Sequence, residues 1–185
     1  MRIDIIQNKF NFINDKYEIL IDEKLEYNAK SKFLTIQPKI GIFTLNGKQI
    51  LSVEKKSENI NQLNYSLKRN ENSIVDINTN SLIEFTIRNS KGTIHFCEQK
   101  NNLIGIFQND NQVGIIDKNR KVSFGEDKYH AEIEKEKIDH VLVIGFIIAY
   151  DSQYNNDRNS LVHLDFGNVL IEPAKKINPN WKPND

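Results

Sequence analysis

The ten residues from Val141 to Tyr150 read Val-Leu-Val-Ile-Gly-Phe-Ile-Ile-Ala-Tyr, with no charged side chain among them. A bilayer-spanning helix needs roughly 20 apolar residues, so this run is about half long enough, and Asp139 and Asp151 close it at both ends. Asp139 is also a plausible N-cap. A surface helix keeps one polar face, and a helix that is apolar on every side has to be buried on every side. The β-branched residues leave a central strand as the competing reading. The length of the run and the Asp139 cap favour a helix near 138–151. Whatever fold this chain adopts must therefore wrap a short apolar rod.

The material for wrapping precedes it. From Tyr17 to Glu134 the chain alternates apolar and polar residues in short segments separated by turn residues, with no amphipathic helix of useful length before Lys135. Leu63, Tyr65 and Leu67 alternate with polar neighbours, as do Ile83, Phe85 and Ile87, which is the period-two pattern of half-buried strands. Asn46-Gly47 lies between Gly41–Leu45 and Gln49–Val53, and such a dipeptide predicts a type I′ hairpin, because both central residues of that turn need positive φ. Ser90-Lys91-Gly92, Lys100-Asn101-Asn102, Asn109-Asp110-Asn111 and Lys118-Asn119-Arg120 punctuate the later strands. Phe33–Ile36, Val122–Phe124, Leu161–Phe166 and Val169–Ile171 also have the composition of strands. Many short strands at even spacing point to a barrel or sandwich, and a parallel sheet would need helical crossovers that are absent here. The expected fold is mainly β: a closed antiparallel barrel of about twelve strands around one buried C-terminal hydrophobic helix. Closure also removes exposed strand edges. Residues 1–172 form the expected single domain, and 173–185, with Pro173, Pro179 and Pro183, an extended or mobile tail that Trp181 is placed to pin.

The order of features resembles the tubby C-terminal-like superfamily, in its LURP-one-related and scramblase-like branch. The residues that carry the resemblance are Tyr17-Glu18-Ile19, Tyr27-Asn28-Ala29-Lys30, the hairpin Ile42–Leu51, Gln112–Lys118, Lys128–Ile133 and the apolar run Val141–Tyr150. The similarity covers roughly 15–151 and lies in pattern and order. It implies a twelve-stranded barrel threaded by a hydrophobic helix, in a superfamily that includes phosphoinositide binders and proteins assigned as lipid scramblases. The chain lacks the paired basic motif of the former. It also lacks the cysteine-rich segment and proline-rich arm of the latter.

Composition narrows the function without naming it. The 185 residues carry 25 basic and 25 acidic side chains, so bulk charge favours neither nucleic acid nor an anionic membrane surface. The first nine residues have no apolar h-region, and a cytoplasmic location is the expectation. The excess of Ile, Asn and Lys is the bias of an AT-rich genome and suggests a bacterial source.

Chemistry-bearing residues are scattered. Cys97 is the single cysteine and reads as a small buried side chain. His95, His130, His140 and His163 lack metal-ligand spacing. Asp151, Gln153, Asn155 and Asp157 imitate the odd positions of a calcium loop, but Asn156 and Val162 stand where Gly and Glu are needed. Asp165-Phe166-Gly167 has none of the other kinase signatures. Glu132 and Glu134 read as the solvated face of a strand. No catalytic residue, metal or cofactor is expected. The one candidate anion contact is the turn that holds Lys118, Arg120 and Lys121, whose cations suit a phosphate. Two functions stay open: a non-catalytic module that binds phospholipid or phosphate headgroups, and a bacterial protein-interaction module of accessory or immunity type.

Overall fold

The computed structural model describes residues 1–8, 16–32, 39–56, 62–70, 73–99, 102–118, 126–154 and 175–184. Twelve antiparallel strands close into one barrel in which each strand pairs with its sequence neighbours and the first pairs with the last. They are β1 (Arg2–Asn8), β2 (Lys16–Ile21), β3 (Lys24–Lys32), β4 (Lys39–Thr44), β5 (Gln49–Lys55) and β6 (Tyr65–Asn70). Next come β7 (Ser73–Ser81), β8 (Glu84–Asn89), β9 (Gly92–Glu98), β10 (Leu103–Gln108), β11 (Asn111–Asp117) and β12 (Glu126–Ile133). Closure joins Ile3 to Ala131 and Ile5 to Tyr129 across β1 and β12. Strand β1 extends the alternating pattern N-terminal to Tyr17, with Ile3 and Ile5 fully buried. The expected strands at Phe33–Ile36, Val122–Phe124, Leu161–Phe166 and Val169–Ile171 lie outside the described residues.

An eight-stranded barrel is about wide enough for its own side chains to fill. Twelve strands leave a wider bore, and a helix with its side chains is about 10–12 Å across. Helix α1 (His140–Tyr154) occupies that bore, and every residue from Val141 to Asp151 is buried. Its partners come from around the ring. Phe146 stacks on Phe96 of β9 with ring centroids 3.8 Å apart and meets Phe85 of β8 at 5.8 Å. A Cβ at Gly145 would lie 2.7 Å from Leu51 of β5 and 3.0 Å from Leu67 of β6, so the helix and this part of the wall approach as closely as a residue without a side chain allows. Asp151 reaches Tyr17 of β2 and Tyr129 of β12. The expected cap forms: the Val141 amide donates to Asp139 Oδ1 at 3.0 Å, which meets one of the orphan donors at a helix start.

The turns differ in one respect from expectation. The hairpin at Asn46-Gly47 forms, but only Gly47 has positive φ (85°), and its amide donates to the Thr44 carbonyl at 2.9 Å. That is a type I turn followed by a left-handed glycine, the longer hairpin solution. Pairs of positive-φ residues occur instead at Asp22-Glu23 and Asn109-Asp110, and Asp22, Asn109 and Asp110 are of the types that tolerate the left-handed region.

Residues 175–184 run along the outside of the wall. The Gln99 amide donates to the Lys175 carbonyl at 2.9 Å, Asn178 N–H to Gln112 Oε1 at 2.9 Å, and the Asn184 amide to Glu134 at 3.2 Å. The Lys175 ammonium pairs with Asp110 and lies 5.8 Å from the Phe107 ring centroid. Gly105 faces this strap, and a Cβ there would collide with Ile177.

Candidate functional site

The barrel has two unlike ends, because α1 enters at one and reaches the other. The entry end is bordered by the end of β6, the start of β7 and the β8–β9 and β10–β11 turns. There a groove of about 280 Å³ opens beside the start of the helix. Its floor is apolar, with Leu67, Val75 and Leu142 among the residues that form it, and its cations are Arg69, Lys91 and Lys137, from three separate elements. Arg69 forms an ion pair with Asp139, the residue that caps the helix. Lys137 pairs with Glu134 at 2.5 Å. His140, the first helical residue, lies 3.3 Å from the Tyr27 hydroxyl, and burial holds its imidazole below the usual histidine range.

The far end is closed by buried polar groups. Lys118, just past β11, is only 2% exposed, and Glu98, at the end of β9, is fully buried. The Lys118 ammonium forms an ion pair with Glu98 and donates to the Tyr150 hydroxyl at 3.1 Å, which in turn donates to Glu98 Oε2 at 2.9 Å. Beside this triad, Asp151 accepts from the Tyr17 hydroxyl at 2.8 Å and from the Tyr129 hydroxyl at 2.7 Å. The Gln7 amide donates to Tyr17 at 3.3 Å. Burial pushes the Tyr65 phenol up to about 12, and its hydroxyl donates to Ser152 at 3.4 Å. Buried polar groups are tolerated when their partners are present, and these have them. Among the described residues these groups are buried and contact one another, so their role is structural.

This geometry changes the reading of several candidates. Lys118 is not an exposed tip cation, because it continues the inward phase of β11 set by Ile116 and its charge is consumed by Glu98. Arg120 and Lys121 lie outside the described residues. Asp151 belongs to the last turns of α1 rather than to a calcium-like loop. Gln153 is buried on the same helix, and Asn155 and Asp157 lie outside the described residues. Glu134 is 7% exposed and paired with Lys137, so only Glu132 fits the solvated face expected of the two. The inward alternation of Ile94, Phe96 and Glu98 was the signal that could have placed Glu98 in the interior.

The remaining candidates are dispersed. Cys97 is buried, and burial, with help from Glu84, pushes its thiol up to about 12, far from a nucleophile's range. His95 lies on the outer wall, where burial and then Lys175 hold it below the usual histidine range. His130 contacts Asp4 at 3.1 Å and Glu132 at 3.7 Å. His163 and Asp165-Phe166-Gly167 lie outside the described residues. Among the described residues no group of three or more His, Cys, Asp or Glu side chains is arranged to hold a metal, and no helix is long and apolar enough to cross a membrane.

In comparison with known proteins, the family model described as LURP-one-related fits residues 1–151. No curated protein and no solved structure matches significantly.

Proposed function

Since the chain belongs to the LURP-one-related family, within the tubby-like superfamily, we propose that it is a non-catalytic binding module that takes the phosphate of an anionic phospholipid headgroup at the entry-end groove. The observation that supports this is the convergence of Arg69, Lys91 and Lys137 on one apolar-floored recess. A guanidinium pairs well with oxyanions, and Asp139 already occupies Arg69 through one carboxylate oxygen. A phosphate entering the groove would replace the Asp139 carboxylate as its partner. The apolar floor suits the glycerol and first methylenes of a lipid. Near an anionic bilayer each basic side chain contributes about 1 kcal/mol of attraction, so three together produce measurable but salt-sensitive adsorption.

Arg120 and Lys121, which lie outside the described residues, are a second candidate contact. Co-sedimentation with phosphatidylcholine vesicles, with and without anionic lipid, should show binding only to the anionic set. The Arg69→Glu/Lys91→Glu/Lys137→Glu variant should lose it, and Arg120→Glu/Lys121→Glu should keep it. The reverse pattern moves the site to the β11–β12 connection. No pelleting of the unaltered protein with anionic vesicles defeats the headgroup reading and leaves the protein-interaction module in its place.

A further inference from the structure

The second recess of the molecule is built from two parts that the sequence keeps far apart. Residues 179–182 of the strap lie over the outer faces of β10, β11 and β12 and enclose about 320 Å³ with them. The floor is Leu103 and Ile115, one wall is Trp181, and the carboxylates of Asp117 and Glu132 line the recess. Lys182 is the only cation of fixed charge among the lining residues, and it is exposed. The strap is held on both sides of the recess, by Asn178 against Gln112 and by Asn184 against Glu134. The recess is therefore part of the docked strap and not a gap beneath a loose end.

An apolar floor, an indole wall and two carboxylates define the chemistry of a complementary solute. The indole face carries negative quadrupolar potential and attracts cations, the carboxylates supply charge-assisted acceptors, and the floor favours an aliphatic body. An anion meets two like charges here, and a neutral alcohol offers a hydroxyl donor but no positive charge; His130, which also lines the recess, lies 3.7 Å from Glu132. We propose that this recess is a binding site for an alkylammonium ion, either a free aliphatic amine or the end of a lysine side chain, with Trp181 and the Asp117 and Glu132 carboxylates as its recognition groups. Lys182 lines the same recess and is then its internal competitor.

Trp181 is the single tryptophan of the chain, so intrinsic fluorescence reads this recess directly. Titration of the full chain with pentylamine near neutral pH should give a saturable change in Trp181 emission, and pentanol should give none. Nα-acetyl-lysine N-methylamide tests the second source, and the tighter of the two amines identifies which one the site serves. Asp117→Asn/Glu132→Gln should weaken amine binding by at least about tenfold, as expected for loss of charge pairing at a partly desolvated site. Lys182→Met alters an exposed residue, leaves folding intact and should tighten binding. Pentanol acting as strongly as pentylamine, no saturable response to either amine, an undiminished response in the double variant, or weaker binding in Lys182→Met would each overturn the proposal.

Discussion

The two ends of the barrel meet the same problem, a helix terminus inside a sheet, in opposite ways. At the entry end the helix start is capped by one side chain, Asp139, and the surrounding charges stand in an open groove that solvent and solutes reach. At the far end the charges are buried, and each is held by groups from distant parts of the chain: Lys118 and Glu98 through Tyr150, and Asp151 through Tyr17 and Tyr129. The lesson concerns the cost of substitution. A charge that can be rehydrated is inexpensive to remove and free to serve binding, whereas a charge sealed in the wall can be removed only together with its partner.

The largest expected effect breaks the far end. Lys118→Met alone leaves Glu98 buried without its cation and should cost about 3–5 kcal/mol in urea unfolding. The double variant Lys118→Met/Glu98→Leu should recover most of that loss. A double variant as unstable as the sum of the singles would show that the pair is not coupled. Next comes Tyr129→Phe, which removes one of the two hydroxyl donors to Asp151 and should cost about 1.5–3 kcal/mol by the same measurement, with no effect on vesicle binding. At the entry end Asp139→Ala should cost only about 1 kcal/mol, the usual worth of an N-cap. It should also strengthen anion binding, because Arg69 is released. A loss of binding in that variant would mean that Asp139 positions Arg69 rather than competing for it.

The smallest effect is the acid response of His140. Burial holds its folded pKa below the ordinary 6.5, so the folded state binds fewer protons than the unfolded chain. Stability is then fully present above about 6.5 and declines as pH falls below that value. His140→Phe should remove that part of the decline, as read by thermal unfolding between pH 7 and pH 5. An unchanged profile would assign the acid sensitivity elsewhere.

Much of the barrel was legible because one rule repeats. In a closed sheet around an apolar core, every strand shows the same inward-outward alternation, so Leu63 to Leu67 and Ile83 to Ile87 declare themselves locally. The helix was legible for the converse reason: Val141–Tyr150 has no polar side, and Asp139 marks its start. What escaped local reading depends on how far the alternation runs past a strand end. Lys118 looks like a turn residue because it stands beside Asn119 and Arg120, yet the strand phase carries it inward. Only the position of Glu98, twenty residues earlier in the chain, makes that burial tolerable. The entry-end groove was illegible for a similar reason, since Arg69, Lys91 and Lys137 sit in unrelated segments and meet only after the register is set.

The order of elements has a consequence for how the molecule is made. The wall closes when β1 meets β12, joining residue 2 to residue 132, and the rod that fills it follows in the sequence. A nascent chain therefore exposes twelve strands' worth of apolar inner surface before its filler leaves the ribosome. Such long-range closure is slow and leaves intermediates prone to aggregation. A fragment that stops before His140 is a hollow shell, and it should be recovered in inclusion bodies or bound to chaperones. A separately synthesised peptide of residues 138–154, supplied during refolding, is the natural agent for its rescue.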